Sequence, residues 1–108
     1  MQMVRVEPMW IEGYPFTAVQ VELPKTTLLV IANAVGYAMC GALDVELLRT
    51  KLRSRNVVAM RATGVRTLEE LLAATVENQT QAAEELGIHP GMPMREALAT
   101  LGRAAQNG

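Results

Sequence analysis

The sequence predicts an α+β fold: a mainly antiparallel sheet of about five strands with one β-α-β crossover, packed by three or four helices grouped at the C-terminal end. Three observations predict it. Strand-length runs, alternating or wholly apolar, dominate residues 3–62. A single amphipathic helical stretch, 44–54, falls between two of those runs. After Gly64 the pattern becomes helical and stays so to about residue 105. No linker or repeat divides the 108 residues. They read as a single domain, 1–108, with a sheet-rich part at 3–62 and a helical part at 67–105.

The first strand is Met3 to Val6, with Val4 and Val6 on one face and Arg5 and Glu7 on the other. Pro8 breaks it or marks a sheet edge, and Met9-Trp10-Ile11 continues it in the second case. Glu12-Gly13 is a turn signal. In the second strand, Tyr14 to Leu23, Thr17, Val19, Val21 and Leu23 alternate with Ala18, Gln20 and Glu22. One face is therefore wet, as in an antiparallel hairpin. Pro24-Lys25 punctuates. Thr26 to Ala32 is apolar on both faces and reads as a central strand. Asn33 to Gly36 is a short hairpin loop.

The run Tyr37 to Cys40 is apolar at every position, as in a strand covered on both sides. Gly41 and Ala42 let the chain turn. Asp44 is a good N-cap for a helix to about Ser54, with Val45, Leu48 and Leu52 on one face. Val57 to Ala62 is the fifth strand. Strand, helix and strand in this order imply a right-handed parallel crossover. Thr67-Leu68-Glu69-Glu70 is a capping box that opens a helix to Ala74. Thr75 reads as the cap of a further helix to about Leu86, ended by Gly87. His89-Pro90-Gly91 is a turn. Pro93 suits a first helical turn, and Met94 to about Ala104 forms the last helix, with Leu98 and Leu101 inward. The tail from Gln106 reads as frayed.

Composition narrows the function classes. Only four residues are Phe, Tyr or Trp, so the core is aliphatic with methionine filling gaps. A net charge of -1 argues against nucleic acid as a partner. One cysteine excludes an internal disulfide and every cysteine-rich metal motif. One histidine, His89, leaves no His-rich metal site. The reading is no metal and no cofactor. The N-terminal run carries Arg5 and Glu7 and does not read as a signal peptide. No apolar run has the length of a membrane span. The expected setting is cytoplasmic, without a membrane partner.

Three runs resemble a known family: Leu23-Pro24-Lys25-Thr26, Gly36-Tyr37-Ala38-Met39-Cys40-Gly41-Ala42-Leu43-Asp44, and Arg61-Ala62-Thr63-Gly64-Val65-Arg66-Thr67. They look like the YunC family of small, mainly bacterial and archaeal proteins. The resemblance extends from Ile11-Glu12-Gly13 through the last helix. It implies an α+β domain in a cytoplasmic setting. It implies no activity and assigns no catalytic residue.

Candidate site residues therefore come from local chemistry. Cys40 lies near a strand end just before a helix start, where a dipole favours a thiolate. A small core hydrophobe is the competing reading. Asp44 serves as acid or base, or as the cap of its own helix, and the cap reading is the stronger. Lys25-Thr26-Thr27 superficially matches the end of a phosphate loop, but it precedes a strand and is set aside. His89 sits in a turn far along the chain and reads as solvated.

Charge is segregated. Six basic residues and no acid lie between Arg49 and Arg66, and five acids and no base between Thr67 and Ile88. Either the basic run binds phosphate or carboxylate, or it complements a helix end and pairs with the acidic helices. Arg61 interrupts an apolar strand and must be paired or reach an edge. Gly64, Arg66 and Thr67 follow it into a helix N-terminus, an arrangement suited to anions. Arg61, Gly64, Arg66 and Thr67 are thus the expected ligand-binding residues, and an Arg61 ion pair with Asp44 or a glutamate is the competing reading. The leading function is a site for a small anionic ligand at the strand-to-helix junctions. The alternative is a non-enzymatic homo-oligomeric interaction or structural module, with a dimer the expected assembly.

Overall fold

The computed structural model describes residues 3–41 and 57–107. Among them, six strands form one sheet in sequence order: β1 (Met3–Ile11), β2 (Tyr14–Leu23), β3 (Thr26–Ala32), β4 (Gly36–Met39), β5 (Val58–Arg61) and β6 (Asn78–Gln79). Three helices accompany them: α1 (Leu68–Ala73), α2 (Gln81–Glu85) and α3 (Met94–Asn107). All strand pairs are antiparallel except β4 with β5. The parallel pair is the one expected from the strand–helix–strand pattern. The expected helix over 44–54, its cap Asp44 and the basic residues Arg49 to Arg55 lie outside the described residues. No described helix is long and apolar enough to cross a membrane.

The register sorts side chains onto two faces. Ile11, Phe16, Ala18, Leu29, Ile31, Ala38 and Met60 belong to the buried face. The helix α3 lies against β1, β2 and β4, while α1 packs on β3 and α3. Met94, Ala97, Leu98 and Leu101 recur at helical spacing and are fully buried. Burying Leu98 and Leu101 contributes about 1.5–3 kcal/mol each. Gly102 lets α3 approach closely, since a Cβ there would overlap the ring of Tyr14. Asn33 fastens the β3–β4 turn to this helix. Its Nδ2 donates to the Leu101 carbonyl at 3.0 Å, and its Oδ1 accepts from Val35 and Gly36.

The hairpin turns follow their residues. Glu12 (φ 52) and Gly13 (φ 83) both take the left-handed region, as a type I′ hairpin turn requires. In the β2–β3 turn Pro24 presets a negative φ and Lys25 takes φ 68. Pro8 stays within β1, so the edge reading holds. The reason is its direction. Cys40 N–H donates to the Leu29 carbonyl and Asn33 N–H to the Gly36 carbonyl. Carried through the β3, β2 and β1 registers, this alternation points the backbone groups of Val4, Val6, Pro8 and Trp10 away from β2. The missing N–H of Pro8 therefore removes no ladder bond.

Four expectations need correction. A sixth strand, Asn78–Gln79, is present. The helix expected from a Thr75 cap starts five residues later, with Thr80 as cap. Backbone bonds elsewhere claim the intervening residues: Val76 donates to Met92, Glu77 to Arg61, and Thr75 bridges Pro93. In β2 the buried side is that of Phe16 and Ala18, although Gln20 and Glu22 share it farther along. The last helix runs on to Asn107, so residues 106 and 107 are helical.

Candidate functional site

The parity of the strands decides which loops meet. The C-terminal end of β2, the start of β3 and the C-terminal ends of β4 and β5 all lie at one end of the sheet. Ligands of open α/β units bind outside the carboxyl ends of parallel strands. At this end a cleft of about 520 Å³ is lined by Lys25, Thr26, Thr27, Cys40, Gly41, Val65 and Arg66. Three separate segments build it: the β2–β3 turn, the exit of β4 and the loop from β5 to α1.

Each lining residue has a local cause for its position. The left-handed Lys25 turns the chain within two residues, which puts Lys25 and Thr26 at the rim. Cys40 follows β4 on the buried face and is 4% exposed. Its Sγ accepts from Leu29 N–H at 3.4 Å and donates to the Thr27 carbonyl at 3.5 Å. The thiol thus bridges β3 and β4 beneath the cleft as a donor. Gly64 takes φ 77 and swings the chain out of β5, which brings Val65 and Arg66 to the cleft.

The start of α1 is closed by its own residues. Thr67 Oγ1 accepts from Glu70 N–H at 3.0 Å, and Glu70 reaches back to Arg66 N–H at 2.6 Å. Thr67 is thus the N-cap read from the sequence, but Glu70 reaches one residue past it, to Arg66 N–H rather than to the Thr67 N–H of a standard capping box. The first turn of α1 carries Glu69 and Glu70, so cations at this end come from Lys25 and the Arg66 side chain. Among the described residues lining the cleft there are two cations and no acid.

Arg61 is not part of that lining. It pairs with Met39 in the β4–β5 register, which places it on the sheet face opposite Cys40. There its Nη2 meets Glu77 Oε1 at 3.0 Å. Thr63 Oγ1 also donates to Glu77. The structure therefore brings Cys40 and Arg66 together and separates both from Arg61. Thr67 acts as a cap, Gly64 as a turn, and Asp44 lies outside the described residues. His89 is exposed in its turn. The contribution of Lys25, Thr26 and Thr27 escaped the sequence because a phosphate-loop template demands a following helix. Strand parity was the signal that could have found them.

No group of three or more His, Cys, Asp or Glu able to hold a metal occurs among the described residues. The family described as a domain of unknown function, DUF1805, matches residues 39–101. A protein described as uncharacterized protein YunC, from Bacillus subtilis (strain 168), is 59% identical over 96 residues, covering 89% of this chain and 95% of that protein. The crystal structure of a protein of unknown function, TA1206 from Thermoplasma acidophilum, superposes with a TM-score of 0.84 at 33% identity, covering 94% of this chain and 95% of that one.

Proposed function

The chain belongs to the DUF1805 family that includes YunC, and for this member we propose that the cleft between the β2–β3 turn and the β5–α1 loop binds a small anion, a phosphate or a carboxylate. The observation that carries this reading is the pairing of Lys25 and Arg66, on two distant loops, around a cleft whose described lining holds no acid. Arg66 offers a planar fork that can grip two oxygens of one ligand, and Lys25 adds a point charge. The hydroxyl of Thr27, on the same sheet face as Cys40, supplies a neutral donor. Gly64 and Thr67 act indirectly, by turning the chain and fixing where α1 begins. The setting is cytoplasmic, where the single thiol, Cys40, stays reduced.

A thermal-melt panel with inorganic phosphate, glycerol phosphate and citrate tests the reading. The melting temperature rises with at least one of them, by linkage of binding to folding. The rise disappears in Lys25→Gln and Arg66→Gln, and Arg66→Lys weakens it. A flat response throughout, or a rise unchanged in both variants, overturns the proposal.

The second reading is a homo-oligomeric module without chemistry. One observation favours it: Val4, Val6 and Trp10 are 62%, 64% and 65% exposed along a single strand. Isolated exposed apolar residues need no explanation, but three in register on an open edge do.

A further inference from the structure

We infer that β1 is a self-association edge, and that it takes the β1 strand of a second copy of this chain in antiparallel fashion, with the two-fold axis through Val6. This rests on the homo-oligomer reading and is independent of the anion cleft. Among the described residues no strand pairs with the outer side of β1. That side carries the N–H and C=O groups of Val4, Val6 and Trp10, together with the C=O of Pro8. An open nine-residue edge with apolar side chains is a template for another strand.

Hydrogen bonding and charge select the register. Outward-pointing residues must face outward-pointing residues, so even-numbered positions pair with even-numbered ones. An axis at Arg5 sets Arg5 against its own copy, and an axis at Glu7 does the same for Glu7. Both place like charges directly opposite, which destabilises. An axis at Pro8 opposes two residues that lack an N–H. An axis at Val4 leaves only a short overlap at the strand's beginning. The axis at Val6 avoids every one of these faults. Val6 bonds to Val6 of the copy in both directions. Val4 N–H donates to Pro8 C=O of the copy, and the absent Pro8 N–H loses only the reciprocal bond.

The same axis sets Arg5 opposite Glu7 of the copy, twice by symmetry. Within one chain these side chains already meet at 3.2 Å, each 43% exposed. Across the axis the four charges alternate in sign and form one cluster. On the other face Val4, Val6 and Pro8 of both copies lie side by side. The contact is isologous and closes as a cyclic dimer, which joins two six-stranded sheets into one.

Sedimentation velocity across micromolar concentrations tests this, with four samples. The wild type dimerises reversibly. Arg5→Glu and Glu7→Arg, each alone, weaken dimerisation roughly tenfold or more, because each sets like charges across the axis. An equimolar mixture of the two variants forms a heterodimer, because every cross-axis pair is then of opposite sign. Restoration within a single chain does not explain that result, since neither chain of the mixture has its own Arg5–Glu7 pair. Val6→Pro removes an outward N–H that the monomer does not use, so it abolishes dimers while the melting temperature of the monomer holds. A wild type that stays monomeric overturns the proposal. So does a dimer indifferent to both charge variants, or a mixture that fails to pair. None of these outcomes depends on Lys25 or Arg66, so they leave the anion reading standing.

Discussion

Arg61 holds Glu77 at 3.0 Å on the face of the sheet opposite Cys40. That contact separates two arginines that stand five positions apart in sequence. Arg61 belongs to an ion pair between β5 and the segment before β6, whereas Arg66 belongs to the cleft. Arg61→Gln and Glu77→Gln should each cost about 1 kcal/mol or less, because both groups are partly solvated. Neither should change the response of the melting temperature to inorganic phosphate. An Arg61→Gln variant that keeps its stability but loses the phosphate response would move the site to the other face.

Lys25 separates binding from folding. Its φ of 68 is a conformation that glycine adopts without strain. Lys25→Gly should therefore fold at least as stably as the wild type, with a gain of up to about 1 kcal/mol. The same change removes a cation from the cleft and should abolish the anion response. A denaturant melt and a phosphate titration on one sample check both halves. A stabilised variant that still responds to phosphate would take Lys25 out of the account.

The fold was largely legible in the sequence because its signals are local. Glu12-Gly13 signals a turn and Pro24-Lys25 a break between strands, and the structure closes a tight hairpin at each. Thr67 and Glu70 announce a helix start that the structure reproduces to the residue. Thr75 misled for the converse reason. It has the residue type of a cap, but its backbone is claimed by a bridge to Pro93, a contact with no trace in local sequence. The site was half legible. Cys40, Gly64 and Arg66 drew notice through residue type and position. Lys25, Thr26 and Thr27 needed the parity of three strands, and Arg61 needed the β4–β5 register, which sends it to the face away from Cys40.

Thr80 is the joint between α2 and the sheet. Its hydroxyl donates to the Val57 carbonyl at 2.6 Å and accepts from Ala59 N–H at 3.1 Å and Ala83 N–H at 3.4 Å. Thr80→Val keeps the shape and removes all three bonds. The loss should be about 2 kcal/mol or more, since a buried N–H of β5 and a helix cap are both left unsatisfied. Chemical denaturation measures it. A change within a few tenths of a kcal/mol would show that α2 is held by packing alone.

Gly102→Ala tests how tightly α3 is seated. The added methyl overlaps the Tyr14 ring and should destabilise by about 1–3 kcal/mol, despite the better helix propensity of alanine. Tyr14→Leu in the same chain should recover part of that loss. Equal and additive costs for the two changes would mean that the helix and the ring do not bear on each other.

Cys40 links the cleft to the core. Cys40→Ala leaves Leu29 N–H without its sulfur acceptor and should cost about 1–2 kcal/mol, whereas Cys40→Ser keeps a donor and an acceptor in place and should cost less. In the wild type the thiol should react slowly with a bulky aromatic disulfide, and more slowly still in saturating phosphate. A thiol that reacts as fast as free cysteine would contradict its placement beneath the cleft.

The most direct test of the anion cleft is a titration of ¹⁵N-labelled protein with inorganic phosphate, followed by amide chemical shifts. The account predicts saturable shifts at Thr26, Thr27, Gly41, Val65 and Arg66, with Glu77 and the β1 edge unmoved, and no saturation in Arg66→Gln. Saturable shifts centred on Arg61 and Glu77, or no saturable shift at the cleft, would contradict it.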